Sequence, residues 1–289
     1  MKTAEEESFL SKTSIDPNQR LRLEAGSSEP TVRAMDLVCP IGKGQRGLIV
    51  SPPKAGKTTF LKQICQALAK SEPSLKLFCL LVDERPEEVT DFKRSVTAEV
   101  HASSSDRGYD EHIQVAQNLM TQVIRDVNTG SDVVILLDSL TRLARVHNQN
   151  ASGRKTLSGG LDSRAMEVPR RFFGAARKLE EGGSLTILAT ILVGTGSRMD
   201  DVIFQEFKGT GNMELVLSRD AAEQRVFPAI NIRASGTRKE EHLCAPEELQ
   251  QIYKLRRSLA GVDEVPAASL LVDLLTRYPT NARLLQSLE

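Results

Sequence analysis

Residues 46–59 read RGLIVSPPKAGKTT. An apolar run, a tight turn and the triplet Gly56-Lys57-Thr58 follow one another in the order strand, loop, helix. The end of the stretch fits the phosphate-loop pattern G-x-x-x-x-G-K-[ST], in which backbone N–H groups at a helix mouth cradle phosphates. Counting back from Gly56, the first glycine should stand at 51, where the chain has Ser51, followed by Pro52 and Pro53. A serine can open the loop only with a negative φ, and the prolines then stiffen what glycine would leave pliable. In this reading Pro53, Lys54, Ala55, Gly56, Lys57, Thr58 and Thr59 surround a nucleoside triphosphate. Gly56 permits close backbone approach, Lys57 reaches the β- and γ-phosphates, and the Thr58 hydroxyl ligates Mg²⁺. The competing reading is a chance GKT in an ordinary turn.

Outward from the loop, apolar strands alternate with helical spacing. Residues 58–70 place Phe60, Leu61, Ile64, Cys65 and Leu68 on one helix face. Buried strands are expected at 75–84, 132–139 and 184–193, with a fifth at 212–218. Helices are expected after Pro86, over 110–127 and over 165–181, and at 247–259 and 268–278 as a closing cap. Near-continuous apolar strands separated by helices indicate an α/β fold, a mostly parallel sheet covered on both faces, with its binding residues at the strands' carboxyl ends. Residues 1–40 read as a polar lead-in, and 41–289 as one domain whose helical cap begins near 246. Two glycine-bearing stretches, 152–163 and 194–200, are candidate functional loops.

Composition narrows the field less than the motifs do. Thirty-eight basic residues balance 38 acidic ones, so net charge offers no argument for a polyanion partner. Tryptophan is absent and aromatics are 4%, against a stacking platform for single strands. The four cysteines lack metal-ligand spacing and read as reduced thiols of a cytoplasmic protein. No apolar run reaches the ~18 residues of a membrane helix, and the polar, acidic start is no secretory signal.

Two further strand ends carry carboxylates. DVVILLD closes on Asp138, where a carboxylate can hold the water shell of Mg²⁺. LLVDERPEE ends in Asp83-Glu84-Arg85, and Glu84 can polarise an attacking water if its strand neighbours the loop strand. Alone, each is an ordinary acidic turn; the phosphate loop gives the pair its weight. Arg142, Arg225 and Arg238 lie in polar contexts, each singly the pattern of a surface arginine. Phe227 can stack on adenine, although composition alone makes such a residue core.

Taken together, PIGKGQRGLIVSPPKAGKT, LLVDERPEEVTD, DVVILLDSLTRLAR, RRFFGAARKLEEGGSLTILAT, EFKGTGNMEL and RVFPAI..RASGTRKEE resemble the ATPase domain of the bacterial transcription termination factor Rho family, from about residue 16 onward. That family's loop also has a small residue followed by Pro-Pro, so Ser51 supports the resemblance. The resemblance implies a RecA-like P-loop fold and a homohexameric ring that hydrolyses ATP at subunit interfaces and draws single-stranded RNA through its pore, a 5′–3′ RNA–DNA helicase activity. It implies Glu84 as catalytic carboxylate, Lys57, Thr58 and Asp138 on phosphate and Mg²⁺, and Arg85 and Phe227 at the nucleotide. Arg238 and Arg225 would cross from the neighbouring subunit as γ-phosphate arginines. Lys155, Thr156 and Gly159, with Arg198 where the family usually has lysine, would face RNA. Glu111 stands where the family commonly has a basic residue. The family's RNA-capturing barrel has no counterpart in the residues before Gln45. A truncated form, a reduced member or a paralogue is therefore expected. The alternative to a motor is an ATP-binding regulator that assembles with full-length Rho, and RNA polymerase is a further expected partner.

Overall fold

The computed structural model of the chain describes residues 3–150, 158–162 and 164–288. Among these, six parallel strands form the centre: β1 Arg46–Ser51, β2 Lys76–Glu84, β3 Glu99–Ser104, β4 Asp132–Asp138, β5 Ser184–Leu192 and β6 Met213–Val216. They lie in the order β6-β1-β5-β4-β2-β3. Short antiparallel pieces extend the sheet at Gly236–Thr237, beside β6, and at Arg177–Leu179, beside the start of β5.

The apolar strands alternate between two cores. Ile49, Cys79, Leu81, Val134, Leu136 and Leu188 face one, while Leu48, Val50, Leu80, Val82, Ile135 and Ile187 face the other. This two-residue period is what a pleated strand buried on both faces requires. The first core is closed by the loop helix Lys57–Ser71, the helix Pro30–Val38 and the C-terminal helices Pro246–Ala260, Glu264–Arg277 and Asn281–Gln286. The second is closed by Tyr109–Asn128, Leu140–Asn150, Glu167–Gly174 and Arg198–Phe207.

Several elements depart from the sequence expectations. The helix expected over 165–181 is confined to Glu167–Gly174, and Arg177–Leu179 pairs with β5 instead. Strand β3 had no clear signal, because its residues EVHASS bury little. The 194–200 stretch gives way at Arg198 to a helix, capped where the Ser197 hydroxyl accepts the Asp200 N–H. The polar front of the chain is folded: Phe9, Leu21, Leu23, Val32, Met35 and Leu37 are buried, and the Arg33 guanidinium bonds the Leu275 and Tyr278 carbonyls of the cap.

Candidate active site

At the carboxyl edge of the sheet, β1 ends at Ser51 and the chain turns through the loop into helix Lys57–Ser71. Ser51 is extended and buried, with its hydroxyl donating to the Pro52 carbonyl at 3.0 Å. The left-handed positions fall later, on Lys54 (φ 65°) and Gly56 (φ 90°). Ser51 therefore needs no glycine, whereas Gly56 does. A Cβ at Gly56 would meet only the Phe227 ring, 4.0 Å away, so the concave side of the loop is open.

Lys57 Nζ donates to Asp138 Oδ2 at 2.5 Å and to Glu84 Oε1 at 3.3 Å. Both carboxylates are buried. The Thr190 hydroxyl on β5 donates to Asp138 Oδ1 at 2.8 Å and fixes that carboxylate. Burial works against the Lys57 ammonium, but Asp138 and Glu84 raise its pKa above the ordinary lysine value. Burial pushes the Glu84 carboxyl up to about 7, reinforced by Asp138 and opposed by Lys57 and Arg142.

Glu84 arrives by a route the sequence did not suggest. Its strand is not the neighbour of the loop strand: β5 and β4 stand between β1 and β2. Leu81 is level with Asp138, so Glu84 projects beyond the end of β4. The β2–β3 register shifts between Val82 and Glu84, and Asp83 takes φ 56°. Such an irregularity re-aims the next side chain. Arg142, in the first turn of helix Leu140–Asn150, holds the bend. Its Nη1 donates to the Asp83 carbonyl and its Nη2 to Glu84 Oε2 at 3.2 Å. Its Nε lies 3.1 Å from Glu84 Oε1, near enough to attract but not aligned for a hydrogen bond. Arg142 is thus no free surface arginine.

The residues fit a magnesium nucleotide. Among the described residues, no group of three or more acidic, histidine or cysteine side chains is placed to hold a metal ion. A cation here would rest on Thr58, Asp138, waters and phosphate oxygens, the sparse protein ligation that suits Mg²⁺. Each Asp138 oxygen has one protein partner and keeps lone pairs for metal-bound water.

The arginines lie at different edges of the sheet. Arg225 (φ 61°) lines a cavity of about 390 Å³ with Pro53, Lys54 and Arg219 of the same chain. The chain leaving β6 stays beside β1, where the Leu217 N–H bonds the Val50 carbonyl at 2.8 Å, which keeps Arg225 near the loop of its own chain. Phe227 is 45% exposed and is not core. Arg238 is exposed at the opposite, amino edge: its N–H bonds the Asn212 carbonyl at 2.8 Å, and its charge, after burial, depresses the Arg46 pKa. Strand β1 alone spans roughly 17 Å at ~3.3 Å per residue, which keeps Arg238 from its own loop. Arg85 is exposed, 3.5 Å from Glu88, and stands outside the cluster.

Lys155 and Thr156 lie outside the described residues. Gly159 (φ 76°) packs on the Arg198 backbone: a Cβ there would come within 2.9 Å of the Arg198 carbonyl oxygen. The two glycine-bearing stretches therefore touch. Behind Arg198, buried Asp200 accepts Arg145 Nε at 2.7 Å and the Thr195 hydroxyl at 2.6 Å. Neither Asp200 nor Thr190 carried a sequence signal, since one lies in a helix start and the other inside an apolar strand. Glu111 forms only a loose, exposed pair with Arg107 at 3.9 Å.

The fold and the Lys57–Asp138–Glu84 cluster define an ATP hydrolase of the RecA-like P-loop class. Residues 31–237 match the ATP synthase alpha/beta family, nucleotide-binding domain. The chain is 53% identical over 285 residues to transcription termination factor Rho of Pseudomonas aeruginosa, covering 97% of this chain and 68% of that one. It is 55% identical to Rho of Haemophilus influenzae, covering 94% and 66%. The chain belongs to the transcription termination factor Rho family, and spans about two thirds of the length of these relatives. A type III secretion system ATPase of pathogenic bacteria shares the fold, with TM-score 0.75 at 23% identity over 95% of this chain and 85% of that one.

Proposed function

We propose that this chain is an RNA-stimulated ATPase that works as a homohexameric ring in the cytoplasm, with residues 41–289 as its ATPase domain. Each active site is composite. The loop, Asp138, Glu84, Arg142, Arg225 and Phe227 come from one subunit, and Arg238 comes from the next. The observation that carries this reading is the opposition of the two edges: the phosphate loop opens at one, and Arg238 extends from the other.

Lys57 is preset between Asp138 and Glu84, and passes to the phosphates when the nucleotide enters. That transfer frees Glu84 to take a proton from the attacking water, while Arg142 keeps the carboxylate aimed. Mg²⁺, held at Thr58 and Asp138, would supply charge neutralisation at the β- and γ-oxygens. Arg198, with the 152–163 stretch, contacts the backbone of single-stranded RNA in the pore, where a guanidinium can grip phosphate bidentately. Helicase movement follows if hydrolysis resets these loops. Poly(C)-stimulated ATP turnover tests the reading: Lys57→Ala and Glu84→Ala should abolish it, and turnover equal to the unaltered chain in both would reject it.

A further inference from the structure

A cavity of about 670 Å³ lies away from the phosphate loop, within the range of small-molecule sites. It opens to solvent between the helix Ala4–Ser11 and the helices Tyr109–Asn128, Leu140–Asn150 and Glu167–Gly174. Phe9, Ala116, Met120, Ile124, Leu143 and Phe172 supply its apolar walls. None of the residues lining it belongs to the phosphate loop or touches Lys57.

Its charges are unbalanced. Arg171 and Arg177 both line it, beside His147, whose pKa burial lowers, and neither arginine is within ion-pair distance of a carboxylate among the described residues. The half-buried Arg177 guanidinium lies 4.7 Å from the Phe9 ring centroid and, among the described residues, donates to the Ala175 and Gly174 carbonyls alone, at 3.1 and 3.4 Å. The single acidic lining residue, Glu6, is engaged by the Thr3 N–H at 3.1 Å in a helix cap. Half-burial of the Arg177 guanidinium without an acidic partner is costly, Arg171 beside it is exposed, and a carboxylate or sulfonate can present two oxygens to a guanidinium fork. We propose that this cavity binds a small organic anion with an apolar body, its carboxylate or sulfonate set against Arg171 and Arg177.

The probe is 8-anilinonaphthalene-1-sulfonate, whose rings and sulfonate have this chemistry, titrated by fluorescence into the full-length chain. The expected result is one saturable site per chain that ATP does not displace. Decanoate should displace the dye at least ~10-fold better than decanol, as a charge-assisted contact requires. Arg177→Gln and the surface variant Arg171→Gln should each weaken dye binding ~5-fold or more. Ala116→Met, which narrows the cavity from a different wall, should weaken it as well. Displacement of the dye by ATP, equal competition by decanol and decanoate, or unchanged affinity in both arginine variants would overturn the proposal.

Discussion

Lys57 Nζ and Glu84 Oε1 lie 3.3 Å apart, although two other strands separate those that lead to them. The contact exists because β2 outruns β4 and bends at Asp83, and because Arg142 ties down the bend. It places the expected base beside the expected phosphate lysine.

Glu84 should therefore govern the acid limb of the pH profile. Its carboxyl is raised to about 7 by burial and by Asp138. Since a base must be deprotonated, kcat/KM for ATP should rise with pH through about 7, where kcat/KM reports the free enzyme. Arg142 lowers that pKa, so Arg142→Met should move the inflection to higher pH and cut kcat/KM at neutral pH. The folded carboxyl titrates above its ordinary 4.5, so its contribution to stability is present below 4.5 and is lost as pH rises through about 7. Urea midpoints across that window measure it. A profile unchanged by Arg142→Met would contradict the role given to Arg142.

The contact between Gly159 and Arg198 should matter for RNA and not for the chemistry at the loop. Gly159→Ala adds a Cβ 2.9 Å from the Arg198 carbonyl oxygen at φ 76°. A left-handed alanine costs ~1 kcal/mol before the clash is counted. ATP turnover without RNA should persist, while stimulation by poly(C) should fall several-fold. Equal stimulation in the variant would separate the two stretches functionally.

Arg225 lines the loop's own cavity, so its removal should act within one subunit. Arg225→Ala should raise the Kd for ATP ~10-fold or more, the scale of one charge-assisted contact, even in a dissociated subunit. Unchanged nucleotide affinity would place Arg225 outside the site.

Thr190→Val removes the hydroxyl that fixes Asp138 while keeping the strand's shape. Loss of a buried hydrogen bond to a charged group costs about 1.5–3 kcal/mol. The variant should need more Mg²⁺ for half-maximal turnover, read from a Mg²⁺ titration, with its far-UV circular dichroism unchanged.

Much of this was legible in the sequence because the strands are buried on both faces. Runs such as DVVILLD and SLTILATILV have no alternative use, and the loop between β1 and its helix is marked by Gly56-Lys57-Thr58. Strand β3 was not legible, because its side chains bury too little to show a pattern. The helical reading of 165–181 failed at Arg177–Leu179, where β5 offers hydrogen bonds that local propensity does not reveal. Ser51 was doubtful only by comparison with glycine; the left-handed turn it would have needed falls on Lys54 and Gly56. Thr190 and Arg142 were obscure for another reason. Their partners lie 52 and 58 residues away in sequence, and no local pattern marks that distance.

In the proposed ring each active site draws on two subunits, since the loop and Arg238 occupy opposite edges of one chain. The most direct test mixes Lys57→Ala chains with Arg238→Ala chains and measures poly(C)-stimulated ATP turnover. Each variant alone should be inactive. The mixture should recover activity wherever an intact loop meets an intact Arg238 on the next subunit. A mixture as inactive as its components, shown by native mass spectrometry to have co-assembled, would rule out a site shared between subunits.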